Sequence, residues 1–472
     1  MNKTIRFFCV VALCVFAFEG KCEGHLFESL SGMWYDGTRL VVVISVDGLQ
    51  PYDIENYKSS LGNEGFRWIV DHASYKSESE ELMYNNRSVS AYYATLMSGK
   101  MPCEHGITGE KLYSILDGDV ISCIEDARYD GIGTSETASP RLLEVRTLAD
   151  DVKERYPFSK VYSIARGANS AIMLGGHLAT GAVWLNGEGR WCTSKYYEKG
   201  LPLWTIEADS NSYVKRSVGG QWTMKNPIRT YRYYAKGFRT WNNDYPVIKE
   251  LKSTEDVINC PVINDFITET AIRAIREDRL GTEAMIDMLM IEYSITYQGY
   301  DGSRCAETED AMMRLDEDLK KLINAINISV GLNNAIIVLT APPFEKRHIV
   351  FREKKPVRQF NGDRAMALLN SYLMALYGQG RWVERYFDGG IFLNHKLISD
   401  QGLMLRDVEE KVVDFMTEFD AVLRATATFE RGGCDEFHVR MANSLYKRRT
   451  GDVMLTFESE DRRYVPLYIV HQ

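Results

Sequence analysis

Leu40-Val-Val-Val-Ile-Ser-Val-Asp-Gly48 is the stretch that decides how this chain folds. From Leu40 to Val46 it is apolar at every position but Ser45, so it has no polar face to turn to water. A segment apolar on both sides belongs inside a parallel sheet, with helices covering each face. Asp47-Gly48 ends the run, which puts a carboxylate at the C-terminal end of a strand, where open α/β sheets place their ligands. Further along the chain, Ala335 to Leu339 is a second such run, and Met285 to Ile291 a third, interrupted only by Asp287. Between them lie two helical patterns. Ile263 to Leu280 carries Ile263, Phe266, Ile267, Ala271, Ala274 and Ile275 at helical spacing and meets Gly281 as a stop. Asp310 to Ile328 carries Met313, Leu319, Leu322, Ile323 and Ile326. Strands alternating with helices predict an α/β fold.

The bulk composition agrees. With 472 residues, 45% hydrophobic and 26% charged, the chain is long enough to bury a sizeable core. Only 12 prolines and no long polar tract exclude collagen-like and extensively disordered architectures. A formal charge of −9 gives no bulk electrostatic reason to expect nucleic acid as a partner. Lys3 and Arg6 precede the apolar run Phe7 to Phe18, the pattern of a secretory signal peptide. As a helix that run spans roughly 18 Å, well short of a ~30 Å hydrocarbon core, so no transmembrane span is expected after cleavage. Export leaves Cys103, Cys123, Cys192, Cys260, Cys305 and Cys434, which read equally as disulfide partners or buried thiols. Residues 181–261 are rich in Trp, Tyr, Lys and Asn, including Trp184, Trp191, Trp204, Trp222 and Trp241. They read as an insertion with a small aromatic core, or as a surface that stacks on sugars. The expected organisation is a signal peptide over 1–24, a first core part over 25–180, the insertion over 181–261, and a second core part over 262–472.

A series of motifs then points to a family. VVVISVDGL at Val41–Leu49 is followed about 40 residues later by a segment ending in SGKMPCEHGITG. Further on come Ser139-Pro-Arg-Leu-Leu143, Ser159-Lys-Val161, Ala171 to His177, Ser194-Lys-Tyr-Tyr197, Leu201-Pro-Leu-Trp204, Leu315-Asp-Glu-Asp-Leu319, Asn394-His395 and Gly451-Asp-Val453. In this order the chain resembles the alkaline phosphatase superfamily, near its type I phosphodiesterase/nucleotide pyrophosphatase branch. Within it the chain is most similar to the single-domain periplasmic alkaline phosphatases of Bacteroidetes-type bacteria. The resemblance implies an α/β/α sandwich with a mostly parallel central sheet and an inserted subdomain. It also implies two zinc ions held by aspartate and histidine, and a Thr or Ser nucleophile that attacks phosphorus.

Motif by motif, this sequence departs from that chemistry. Asp47 matches the first metal-ligand aspartate. The nucleophile position falls on Val89, flanked by Ser88 and Ser90, either of which would supply a hydroxyl if the alignment slipped by one residue. The family's phosphate-binding Asn is Glu110 here, and a carboxylate repels a phosphate oxygen. The family's Lys-x-Arg clamp aligns with Gly167-Ala168-Asn169, with Arg166 one residue away. Thr296 stands in the place of a ligand aspartate and Tyr300 in that of a histidine, while Tyr297 and Gly299 keep the motif. A further Asp-His pair is replaced by Pro342-Pro343, and the last histidine is missing before Val465. Of the eight histidines, His105, His177 and His395 match scaffold positions of the family. A rebuilt single-metal site would have to draw on Asp47, Asp301, Glu292 and His348.

The expectation is therefore an exported family member that has lost the two-zinc site. It would serve a non-catalytic binding or assembly role in the periplasm or envelope of a Gram-negative bacterium, with no resident cofactor and an unidentified envelope protein or ligand as partner. The alternative is an active metal-dependent phosphomonoesterase or phosphodiesterase with a rearranged site, which would carry zinc.

Overall fold

The computed structural model describes residues 37–115, 118–197, 200–210, 213–232, 245–296, 305–343, 360–428, 435–447, 449–457 and 463–471. Its centre is a nine-stranded sheet built from β1 (Leu40–Asp47), β2 (Ala73–Leu82), β3 (Gly131–Ile132), β4 (Val161–Ala165), β5 (Gly181–Leu185), β6 (Trp191–Ser194), β7 (Asp287–Ser294), β8 (Ala335–Thr340) and β9 (Arg463–His471). The order across the sheet is β2-β9-β8-β1-β7-β4-β5-β6-β3. The five central strands β8, β1, β7, β4 and β5 run parallel. Two antiparallel strands extend each side. The three apolar runs of the sequence are β1, β7 and β8, side by side at the centre, where both faces are covered.

Alternation along β1 divides the core in two. Leu40, Val42, Ile44 and Val46 pack under α4 (Ile263–Glu277) and α5 (Ala306–Ser329). Val41 and Val43 pack on the other face, together with α1 (Val89–Ser98), α2 (Leu148–Arg155) and α3 (Ala168–Gly175). The result is the expected α/β/α sandwich. In α4 the six apolar positions picked out by spacing are all buried, and the chain leaves the helix through Arg279 and Gly281, both at positive φ. A side chain at Gly281 would press on Leu40, its Cβ 2.9 Å from that of Leu40, so this turn needs glycine.

The helix α5 starts four residues before the expected Asp310 because its first turns are acidic yet buried. Glu309, Asp310, Asp316 and Asp318 are all at most 5% exposed. Glu309, Asp310 and Asp316 act as acceptors for neighbouring segments, and Asp318 accepts from Lys321 of its own helix at 3.0 Å. Asp316 takes the N–H groups of Gly62 and Phe66 at 2.8 and 2.7 Å, and Gly65 has no room for a Cβ beside it. Asp310 takes Trp222 Nε1, the Lys225 N–H, the Tyr231 hydroxyl and Arg314 Nε, at 2.6 to 2.8 Å. Charged residues in these positions hide the amphipathic pattern from a sequence reading.

In the segment 181–261, Gly181–Leu185 and Trp191–Ser194 run as β5 and β6 of the central sheet. Trp191, Trp204 and Trp222 bury in the same cluster as β1, and Trp184 buries on the opposite face. Trp191 stacks on Phe266 of α4, ring centroids 5.5 Å apart. These aromatics therefore extend the main core rather than forming one of their own; Trp241 lies outside the described residues. A separate apolar cluster does exist, within residues 360–457. There α6 (Gly362–Tyr377) and α7 (Leu405–Thr417) cover a four-stranded antiparallel sheet made by Val383–Phe387, Gly390–Leu393, Val453–Thr456 and Arg424–Ala427. Within the expected second core part, 262–472, this layer leaves no separate mark in the sequence, because four- and five-residue strands carry little periodicity.

Cys103, Cys123, Cys192, Cys260 and Cys305 are free thiols, and Cys434 lies outside the described residues. Burial pushes the Cys123 thiol up to about 12 and that of Cys260 to about 11, so both stay protonated and inert.

His177 closes a cap on α2. Its Nδ1 lies 2.9 Å from Asp150, whose carboxylate also takes the N–H groups of Thr147, His177 and Leu178 at 2.7 to 2.8 Å. Burial opposes both charges, yet His177 and the backbone N–H groups hold the Asp150 carboxyl below its usual range. Burial likewise lowers His177, but the hydrogen bond and charge of Asp150 win and raise it. The depressed carboxylate stabilises above roughly pH 4 and loses that contribution as pH falls through its folded value. The raised imidazole stabilises fully below roughly pH 6.5 and loses it as pH rises through its folded value. Urea unfolding at pH 5.5 and pH 8 should therefore show His177→Gln losing on the order of 1 kcal/mol more at the lower pH. An equal loss at both would contradict this ion pair.

Candidate functional site

The polar centre grows from the C-terminal ends of β1 and β7. Their register sets Ser45 beside Glu292 and Asp47 beside Ser294. All four therefore lie on the face that packs α1 and α3, one turn of pleat beyond Val43 and Met290. Gly48 follows at φ 92°, and its Cβ position would lie 3.0 Å from the Thr296 backbone. Only glycine lets the two chains pass this closely.

Asp47 is engaged on this face by neutral and cationic donors. Its Oδ2 accepts from Thr296 Oγ1 at 2.7 Å and from Arg166 Nη2 at 3.3 Å, with Ser294 Oγ at 3.5 Å. Arg166, just past β4, thus turns inward to meet the carboxylate, with 23% of its side chain exposed. Glu292 lies deeper, 4% exposed. Ser170 Oγ donates to it at 2.7 Å, Tyr93 OH at 3.2 Å and the Arg166 N–H at 3.3 Å. Burial raises the Glu292 carboxyl above its usual range; the Arg166 charge pulls it back and Asp47 adds to the rise. The same burial drives the Tyr93 phenol well above its normal value, so it remains a donor.

The second half of the site lies at the start of α1. Ser88 is its N-cap and accepts the Ala91 N–H at 3.1 Å; Val89 follows as the first helical residue, half-buried. Ser90 is fully buried. Both serine hydroxyls donate to Glu110: Ser88 Oγ to Oε1 at 3.0 Å, Ser90 Oγ to Oε2 at 2.5 Å. The Ser90 N–H adds a bond at 2.9 Å and Asn169 Nδ2 one at 2.5 Å. The expected repulsive role of Glu110 thus has a further side: the carboxylate is itself held at the helix start. A carboxylate next to a serine suggests a base and nucleophile. Here three further donors already occupy the carboxylate oxygens, and Ser90 presents no surface to a substrate.

The other positions singled out in the sequence fall as follows. A Cβ at Gly167 would meet no heavy atom within 4 Å, so the missing side chain leaves open space. Pro342 and Pro343 are buried just past β8 and bring no ligand atom. Thr340, at the end of β8, gives its hydroxyl to the Pro466 carbonyl at 2.9 Å and meets Tyr92 OH at 2.5 Å. His105 is buried, its Nε2 3.0 Å from Thr95 Oγ1 and its Nδ1 accepting the Ile107 N–H. Burial drops its pKa to about 3, so it is a neutral brace. His395 pairs with Asp452 at 2.8 Å. Tyr297, Gly299, Tyr300, Asp301 and His348 lie outside the described residues.

The donor set decides whether a two-zinc centre fits. Among the described residues no group of three or more His, Cys, Asp or Glu side chains converges to hold a metal ion. Asp47 already faces a guanidinium, which an adjacent dication would repel. The described residues do not fit two zinc ions. Sequence reasoning found the positions of Asp47, Ser88, Ser90, Glu110 and Asn169, but not their partners. That Arg166 turns inward and that Asn169 joins Glu110 had no signal in residue type or spacing.

Comparison with known proteins places the chain. Residues 41–341 match the family described as type I phosphodiesterase / nucleotide pyrophosphatase. Alkaline phosphatase PafA of Elizabethkingia meningoseptica is 25% identical over 442 residues, 88% of this chain and 81% of that protein. Alkaline phosphatase PhoV of Synechococcus elongatus is 25% identical over 487 residues, 96% of this chain and 87% of that protein. The crystal structure of wild-type PafA superposes with a TM-score of 0.80 at 22% identity, covering 92% of this chain and 91% of that one.

Proposed function

Because this chain belongs to the type I phosphodiesterase/nucleotide pyrophosphatase family, within the alkaline phosphatase superfamily, we propose that it is a catalytically silent member with a binding or assembly role in the cell envelope. The observation that carries this reading is the state of Asp47. In a phosphoryl-transfer centre of this type a carboxylate at this strand end serves a cation. Here a guanidinium and a hydroxyl from the chain itself take its oxygen. The neighbouring loop supplies prolines, and both serines beside the helix start are committed to Glu110. Fold and chemistry are separable, so a family scaffold does not bring its reaction with it.

Export is supported by the basic and apolar segments ahead of residue 24. No helix among the described residues is long and apolar enough to cross a membrane. The partner class is an envelope protein or a ligand presented there.

Elemental analysis after mild purification tests the reading together with turnover of a chromogenic phosphate mono- and diester. The expected result is zinc well below one ion per chain and hydrolysis at the buffer background, unchanged by added zinc or by Asp47→Ala. Two zinc ions per chain, with turnover abolished by chelator and by Asp47→Ala, would overturn it in favour of an active metal-dependent phosphoesterase with a rearranged site.

A further inference from the structure

At the start of α1 the chain surrounds one of its own carboxylates with donors. Two hydroxyls, one backbone N–H and one carboxamide N–H converge on the two oxygens of Glu110. They come from two helices, α1 and α3, and from the N-cap residue. Ser90 is 0% exposed, so without an acceptor its donors would have no water to turn to. The positive end of a ten-residue helix adds its field to the same spot. Glu110 itself is anchored by its backbone, whose carbonyl accepts the Cys123 N–H at 3.0 Å. Charge-assisted bonds of this kind are among the stronger ones available to a carboxylate. Each donor is of a type that serves a tetrahedral oxyanion equally well.

We propose that these donors form an anion receptor and that Glu110 is the internal anion that keeps it occupied and bars phosphate and similar oxyanions from the start of α1. The proposal rests on the silent-site reading and adds how a phosphorylated ligand is kept out. Removing the carboxylate exposes the receptor, which then takes a free oxyanion.

The experiment titrates inorganic phosphate, and separately acetate, into the full chain after chelator treatment, using calorimetry and thermal unfolding. Wild type is compared with Glu110→Ala and with the shorter, neutral Glu110→Asn. Both variants should bind phosphate at least about tenfold more tightly than wild type, a difference calorimetry resolves. Acetate, a free carboxylate, should raise the unfolding temperature of Glu110→Ala and leave wild type unmoved. If a variant folds only with help, phosphate or acetate in the refolding buffer should restore it where chloride does not. Wild type binding phosphate as tightly as the variants would overturn the proposal. So would a folded variant that binds neither anion, or a misfolded one that neither rescues. Because the chain is stripped of metal first, this outcome is independent of the zinc count that decides the silent-site reading.

Discussion

Asp310→Ala should destabilise the protein by about 3–5 kcal/mol, the cost of removing one partner from a buried charged cluster. The carboxylate is fully buried on α5 and gathers four donors from two segments. Trp222 Nε1, the Lys225 N–H and the Tyr231 hydroxyl bring in the segment after β6, and Arg314 closes the cluster one helical turn away. Alanine takes this acceptor from the three groups that reach α5 from the segment after β6 and from Arg314 Nε, whose guanidinium keeps the Thr223 carbonyl. Domains of this kind are stable by only about 5–15 kcal/mol, so the loss is a large fraction of the whole. Asp310→Asn keeps the shape but exchanges one acceptor for a donor and drops the charge, so its loss should be smaller than that of alanine. Urea unfolding of the three proteins provides the ranking. A loss under about 1 kcal/mol for alanine would mean the cluster relaxes and finds new acceptors.

Arg166→Met should have the second-largest effect, and one that depends on pH. The guanidinium is the cation beside two carboxylates, Asp47 at 3.3 Å and the buried Glu292. Losing it should cost about 2 kcal/mol near neutrality, less than a fully buried pair because the Arg166–Asp47 contact is a quarter exposed. Burial already raises Glu292, and removing Arg166 raises it further. A carboxyl whose folded pKa is raised above its unfolded value stabilises least at high pH, since ionising it in the folded state carries the cost. The deficit of Arg166→Met against wild type should therefore grow from pH 5 to pH 8. Adding Glu292→Gln to Arg166→Met should recover most of it. A deficit independent of pH would show that Arg166 acts through packing alone.

These two clusters show why one layer of the molecule is legible in sequence and another is not. Leu40–Val46, Ala335–Leu339 and the six apolar positions of α4 stand out because burial on both faces, or on one stripe, leaves a periodic record. The strand β2, Ala-Ser-Tyr-Lys-Ser-Glu-Ser-Glu-Glu-Leu, leaves none: most of its side chains are only half-buried and polar. The start of α5 misleads for the opposite reason, since its acids are inside. At the site, residue type alone marked Asp47, Glu110 and the lost ligands. It could not tell that Arg166 turns toward Asp47, because its role depends on a side-chain direction set by the end of β4. Nor could it tell that Glu110, unfavourable toward phosphate, is favourable toward the donors that surround it. Contacts between residues 20 to 119 positions apart carry both facts.

The place of β9 bears on the order in which the molecule can assemble. It lies between β8 and β2 and bonds to both, so β2, near residue 80, pairs with nothing in the central sheet until residues 463–471 arrive. Closing that pairing spans nearly 390 positions, among the most non-local contacts the chain makes. During synthesis the parallel centre can form first, with the edge of β8 open and its backbone groups ready to pair with another chain. A strand made well after the parallel centre is thus the one that seals the sheet. A chain halted before it carries an intact apolar centre beside an adhesive edge, and its fate turns on whether β9 or a neighbouring molecule reaches that edge first.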